Sequence, residues 1–284
     1  MTTIEKTDVT SQHKPNLDQA GTSPAPTAKK TRFLDRKGVK PVIGFLVPIA
    51  LFIAWWAVTA AELFTPVQLP SPSAVIDATV GLLERGDLWM HIGISVQRVL
   101  IGFGIGAVLG MIFGAVLGLS RWADALLTPI LGALRAVPSL AWVPLLILWM
   151  QIGEDSKVTL IAIGAFFPVF TTLYAGLQHV DQHLVEAGRA FGYKGIRLFK
   201  TIQLPAVVPS IFSGLRLALA QAWLFLVAAE LIASSMGLGF LLTDSQNNGR
   251  TDRLILAIIL LAVLGKITDI LLGLAEKRAI ARWS

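Results

Sequence analysis

The sequence predicts an all-α membrane protein with six transmembrane helices, and three observations carry that prediction. Apolar residues make up 54% of the 284-residue chain and charged residues only 15%, against a usual ~25% charged in soluble domains. Runs with few or no charges recur at ~20 residues, the length at which a helix rising 1.5 Å per residue crosses a ~30 Å hydrocarbon layer. The Lys and Arg residues gather in alternate connecting segments. A soluble fold has no means of covering so much apolar surface. The absence of cysteine excludes disulfide frameworks, thiolate metal sites and cysteine nucleophiles from this chain.

The elements follow in order. Residues 1–40 are rich in Thr, Ser, Pro, Gln and Lys and hold eight basic residues. They have too little apolar surface to offset chain entropy, so a disordered basic cytoplasmic tail is expected. With about 40 polar residues ahead of the first apolar run, it is not read as a secretory signal. The membrane domain is expected over 41–284. Three spans are uncharged: 42–61, 99–120 and 158–178. Three carry charges: 125–153 with Arg135, 206–235 with Arg216 and Glu230, and 254–275 with Lys266 and Asp269. One of these three is alternatively a re-entrant segment.

With the N-terminus inside, the inner segments hold sixteen basic residues and the counted outer ones four, which places both termini in the cytoplasm. The net charge of +6 is thus a topology signal and no sign of nucleic-acid binding. The connections are an outer segment 62–91 with an interfacial helix ending near Glu84, a short outer turn 151–157, a polar outer loop 237–253, and one sizeable inner loop, 178–205. A single large basic inner loop suggests a docking surface for a cytoplasmic partner.

Gly102, Gly106, Gly110, Gly114 and Gly118 stand four apart, a ridge that lets another backbone approach closely. Gly102-x-Gly104 without a preceding strand is no dinucleotide fingerprint. Pro129, Pro138 and Pro144 in the third span and Pro168 in the fourth each remove a backbone donor. They either shape the packing or make a gate near 134–144. Arg135, Arg216, Trp223 and Glu230 are the candidates for a substrate pathway, because charges at depth are costly and functional by default. The last three are seven apart on one stripe. Structural ion pairing is the alternative, and Lys266 and Asp269 are expected to neutralise each other or to partner Arg216.

Enzyme motifs are missing. Leu264-Gly265-Lys266-Ile267 lacks the earlier glycine and the hydroxyl residue of a phosphate-binding loop. No His-Glu-x-x-His or Gly-x-Ser-x-Gly occurs. His179 and His183, four apart, lack a third ligand, so no metal site is expected.

The inner loop reads Glu186-Ala187-Gly188-Arg189-Ala190-Phe191-Gly192, nine residues, then Ile202-Gln203-Leu204-Pro205. This resembles the Glu-Ala-Ala…Gly…Ile-x-Leu-Pro loop of permease subunits of ATP-binding-cassette importers. The spacing matches throughout, and Gly188 stands where alanine is usual, a change that loosens a helix by ~1 kcal/mol. Leu134-Arg135-Ala136-Val137-Pro138, Leu226-Val227-Ala228-Ala229-Glu230 and Thr251-Asp252 resemble the branch that moves aliphatic sulfonates, taurine, nitrate or bicarbonate.

The resemblance implies the MetI-like type I importer permease fold in a prokaryotic inner membrane. It implies that Glu186, Ala187, Gly188, Gly192, Ile202, Leu204 and Pro205 couple the membrane helices to a cytoplasmic ATPase dimer. ATP is then used by that partner, and this chain binds no cofactor of its own. A second permease copy and an extracytoplasmic substrate-binding protein complete the expected complex. Two arginines at depth suit a small anion, with aliphatic sulfonate preferred and nitrate, taurine or a thiamine- or riboflavin-type precursor as alternatives. The competing classes are a proton-coupled secondary transporter using Glu230 or Asp269, and a membrane-embedded enzyme.

Overall fold

In the computed structural model residues 39–283 are described; the expectation for 1–40 lies outside them, except that its last two positions already belong to the first helix. All regular elements among the described residues are helices: α1 (Val39–Ala60), α2 (Pro72–Glu84), α3 (Asp87–Leu119), α4 (Arg121–Ala136), α5 (Val143–Met150), α6 (Glu154–Gln178), α7 (Gln182–Ala190), α8 (Gly195–Leu198), α9 (Leu204–Ala233), α10 (Leu238–Asn247) and α11 (Thr251–Trp283). A 3-10 turn, Ser139–Trp142, precedes α5, and a π-helical turn, Phe199–Gln203, leads into α9. The chain divides into two compact units, one ending at Ile53 and one running from Ala54 to Ser284. The described part of the first is the apolar N-terminal portion of α1, which carries Pro48.

In the second unit, local chemistry sets the helix starts. Ser71 caps α2 by accepting the Ala74 N–H at 3.3 Å, with Pro72 in the first turn, where its missing donor is no loss. Ser120 caps α4 in the same way through the Ala123 N–H. α3, α6 and α9 form the centre of the bundle, with α3 on α6 the most extensive pair. Val99, Leu160, Ile161, Leu219 and Leu226 make its core.

The glycine ridge faces α6 along its whole length. A methyl at Gly102 would meet Ile161, at Gly106 the Ala162 carbonyl, at Gly110 the Phe166 carbonyl at 2.7 Å, and at Gly114 and Gly118 the side chains of Leu173 and Leu177. Gly104, on the other face, has open space around it. Gly106→Ala is therefore expected to destabilise the protein by about 1–3 kcal/mol, as overpacking against backbone does. Gly104→Ala should be neutral, or stabilising by up to ~1 kcal/mol through helix propensity. Thermal unfolding of the two variants in detergent checks the contrast.

Four helical stretches are long and apolar enough to cross a membrane: Asp87–Leu119, Glu154–Gln178, Gly195–Ile232 and Thr251–Ala281. The expected third span is not one straight helix. α4 and the Ser139–Met150 segment meet at 88°, as a broken span or a re-entrant loop. Counting this pair as one gives five, and Leu46–Ala60 is a shorter apolar helix. The break falls at Pro138, which leaves Val137 extended (φ −73°, ψ 124°), as the residue before proline prefers. Pro144 lies in the first turn of α5, and Pro129 and Pro168 are carried inside helices that continue past them.

Two further expectations are corrected. The helix that holds the expected second span begins already at Asp87, and Arg98 lies within it, bound to Glu154 and Glu230. The segment 237–253 is no polar loop: it contains α10, whose Leu241 packs with Val75, Leu82, Leu88 and Leu256.

Candidate functional site

Two clusters stand out from the bundle, one at each end of α9. At the first, α7 begins on Asp181, whose carboxylate accepts the His183 N–H at 2.9 Å. It ends at Gly192, where φ is +83°. The Gly192 N–H reaches the Arg189 carbonyl at 2.9 Å and the Tyr193 N–H the Gly188 carbonyl at 3.0 Å, the paired bonds of a Schellman ending. The Arg197 guanidinium then stacks over the Tyr193 ring at 4.9 Å.

The two halves of the loop motif meet here. Gly188 is buried, and a methyl on it would lie 2.8 Å from Leu198 and 3.0 Å from Ile202. Leu204 packs under the loop with Leu173, Leu177 and Val207, and Pro205 lies in the first turn of α9. Glu186 and Ala187 point outward. Glu186 lines an open polar cleft of about 470 Å³ with Arg121, Asp124, Gln178, Arg189 and Gln203. Leu184, Phe191 and Ile196 are exposed around the same short helix. A nine-residue helix with a fixed start, a fixed end and exposed apolar side chains is suited to insertion into a partner's cleft.

At the other end lies a charge network that the sequence reading did not find. Glu230, one turn from the end of α9, is 1% exposed. Its carboxylate accepts the Ser95 hydroxyl (2.8 and 3.0 Å), Arg98 Nη1 (2.7 Å) and the Gly239 N–H (2.7 Å). Arg98 also donates to the Met236 carbonyl and to Ser234, and grips Glu154 with Nε and Nη2, both at 2.6 Å. Lys157 pairs with Glu154 at 3.0 Å. The Leu238 N–H donates to Ser95 and the Gly237 N–H to His91 Nδ1. Two cations and two carboxylates balance, so the cost of desolvating each is offset by its partners. The network pins the turn between α9 and α10 onto α3 and α6.

His91, Ser95 and Arg98 were legible in principle as a polar stripe at spacings of four and three. The stripe was hidden because the expected span began at 99.

The remaining pathway candidates are not brought together. Arg216 lies 12 residues into α9 and donates to Asp269 of α11 at 2.9 and 3.0 Å, with Glu276 at 3.5 Å. Its side chain is 44% exposed. Lys266 also faces Asp269, at 3.5 Å. Trp223 is buried and donates from Nε1 to Thr268 at 3.0 Å. The Arg216–Trp223–Glu230 stripe therefore turns from α11 at one end to α3 at the other. Arg135, at the end of α4, is exposed and has no ion pair among the described residues. Beside it Leu134, Trp142, Ile163 and Phe167 line an apolar cavity of about 360 Å³. No group of three or more metal-ligating side chains occurs among the described residues, and His179 is engaged with the Ala175 carbonyl.

Residues 106–281 match the family described as binding-protein-dependent transport system inner membrane component. The permease protein SsuC of Escherichia coli (strain K12), named for aliphatic sulfonates transport, is 40% identical over 88% of this chain and 94% of its own. The taurine transport system permease protein TauC of the same organism is 33% identical over 82% and 86%. Among solved structures, a chain of the inward-facing MetNI methionine ABC transporter superposes with a TM-score of 0.53 at 19% identity, covering 73% of this chain and 98% of that one. That likeness concerns the fold, and agrees with the MetI-like permease architecture. The matched region contains the glycine ridge from Gly106 onward, the broken third span, α7 with its loop motif, and the Glu230 anchor. The chain belongs to the binding-protein-dependent transport system inner membrane component family.

Proposed function

We propose that this chain is the transmembrane permease of an ATP-driven importer of small organic anions, with aliphatic sulfonates as its substrates. The observation that carries the reading is the 40% identity to SsuC over nearly the full length of both chains. The second reading, taurine, draws on the likeness to TauC and shares the same architecture; nitrate and a thiamine- or riboflavin-type precursor are the remaining alternatives. In this reading six spans cross the inner membrane with both termini in the cytoplasm. α7 is the coupling helix: Glu186 and Ala187 face the ATPase, Gly188, Ile202, Leu204 and Pro205 hold the helix against the bundle, and Gly192 sets its end. Two permease copies, two ATPase subunits and an extracytoplasmic binding protein make up the working complex, and ATP is hydrolysed by the partner.

Uptake of labelled alkanesulfonate by cells with and without this gene, grown with sulfonate as sole sulfur source, tests the substrate. Loss of uptake with taurine and nitrate handling unaffected supports the sulfonate assignment. Unchanged uptake removes it and moves the substrate to taurine, nitrate or a cofactor precursor.

Within the pathway, Arg135 is assigned the anion contact and the apolar cavity by Leu134 and Trp142 the alkyl chain. Arg216, Trp223 and Glu230 are assigned to packing and charge pairing. Arg135→Ala is expected to lower uptake roughly ten- to hundredfold at unchanged protein abundance, the loss of one hydrogen bond to a charged group. Arg216→Ala should lower uptake and abundance together. Uptake per immunodetected permease separates the two, and the reverse pattern would exchange their roles.

A further inference from the structure

Arg98 divides its guanidinium between two carboxylates of opposite exposure. The Glu230 side chain is 0% exposed and that of Glu154 61%. Next to the exposed half is an open cleft of about 320 Å³ lined by Gln97, Arg98, Glu154, Ser235 and Met236. Only the Glu154 half of the pair opens on this cleft, which Ile94, Ile101 and Val158 also line. A screened ion pair contributes little net free energy, whereas a sealed one is costly to break. Arg98 holds both carboxylates in good geometry, Glu154 by two bonds at 2.6 Å, but only Glu154 has an exposed face through which solvent replaces the contact as it opens; the half toward α6 is therefore the one that releases.

A second, independent feature lies on that side. Glu154 opens α6 directly after the corner 151–153, and Gln151 in that corner has φ 62° and ψ −175°, a backbone region essentially reserved for glycine. The chain is strained where the exposed half of the pair holds it.

We propose that Arg98 and Glu154 form a releasable latch that holds the corner between the broken α4–α5 pair and α6 against α3, and that this latch opens during the transport cycle. On release, Ser95, Arg98, Glu230 and the turn 234–239 stay together as one body. Gln151 then leaves its strained conformation. Arg98 and Glu154 are positioning residues: they set the corner and do not touch the transported anion. The inference rests on the reading of the chain as an importer permease.

Two substitutions push the latch in opposite directions. Glu154→Gln removes the charge from the exposed half and favours release. Gln151→Gly removes the strain and favours the latched state. Because the chain has no cysteine, Ile152→Cys carries a single spin label whose mobility reports the corner. In the complex assembled with its ATPase, label mobility and ATP hydrolysis without substrate should both rise in Glu154→Gln and fall in Gln151→Gly. The change in hydrolysis should be about two- to fivefold, within what a screened ion pair supports. The thermal midpoint of Glu154→Gln should fall less than that of Glu230→Gln, because only Glu230 is sealed from solvent. Unchanged mobility in Glu154→Gln, a midpoint that falls as far as in Glu230→Gln, or hydrolysis moving the same way in both variants would overturn the latch. If mobility responds as expected but the wild-type complex shows no ATP hydrolysis, the importer reading fails and the corner remains a hinge without a part in transport.

Discussion

Replacing Gly192 by valine is expected to leave the membrane bundle folded and to lower ATP-driven uptake about 5- to 30-fold, the factor that corresponds to 1–2 kcal/mol. The reason is backbone conformation and not space, since nothing lies within 4 Å of where a Cβ would stand. At φ +83° an L side chain costs roughly 1–2 kcal/mol, and a β-branched one cannot relieve that strain by changing rotamer. The chain relaxes by giving up the hydrogen bonds to the Arg189 and Gly188 carbonyls, which are what end α7. A helix of nine residues is far below the ~12–15 that hold themselves in water. Without its ending, α7 frays or shifts against Leu198 and Ile202, and the surface that the proposed coupling role offers to the ATPase is lost. Gly192→Asn should retain most of the activity, because asparagine tolerates the left-handed region. Uptake per permease molecule, with membrane abundance measured in parallel, decides the matter. Equal transport by the valine and asparagine variants would remove backbone conformation as the explanation.

The parts of the molecule that were readable from sequence are those where one physical requirement acts on a regular spacing. The five glycines four apart announce a close helix contact, and α3 meets α6 along that face. The Glu186–Gly192 and Ile202–Pro205 halves of the loop motif keep their spacing because Gly188 touches Ile202. Pro138 announces a break, although not its 88° angle, since proline removes a donor without fixing the direction in which the chain continues.

What was hidden depends on pairing between distant segments. Hydropathy treats Arg98 as the edge of a span. Only its contacts with Glu154 and Glu230, 56 and 132 residues away, make it an interior residue. For the same reason Arg216, Trp223 and Glu230 look like one stripe on paper and serve two different neighbours, α11 and α3. α10 was invisible for another reason. Its ten residues include too many polar ones for a membrane span, and burial of Leu238 and of Leu241 against α2, α3 and α11 supplies the stability that its composition lacks.

Removal of the Glu230 carboxylate should have the largest effect on the protein as a folded object. Glu230→Ala leaves the Ser95 hydroxyl, the Gly239 N–H and one edge of the Arg98 guanidinium facing a void. Breaking one side of a buried ion pair costs about 3–5 kcal/mol, a large share of a total stability of ~5–15 kcal/mol. The turn between α9 and α10 loses its anchor as well, because Gly237 and Leu238 are held by His91 and Ser95 on the same face of α3. The expected result is loss of most folded permease from the membrane. Charge compensation makes a further demand that a simple packing role would not. Arg98→Met combined with Glu230→Leu replaces the sealed pair by apolar side chains and leaves Glu154 to Lys157 and water. Such exchanges are often neutral, so the double variant should be more abundant and melt higher than either Glu230→Ala or Arg98→Met alone. A double variant as damaged as the sum of the singles would mean that the pair acts through its hydrogen bonds to the turn, whereas singles with an unchanged thermal midpoint would mean that the network carries no stability at all.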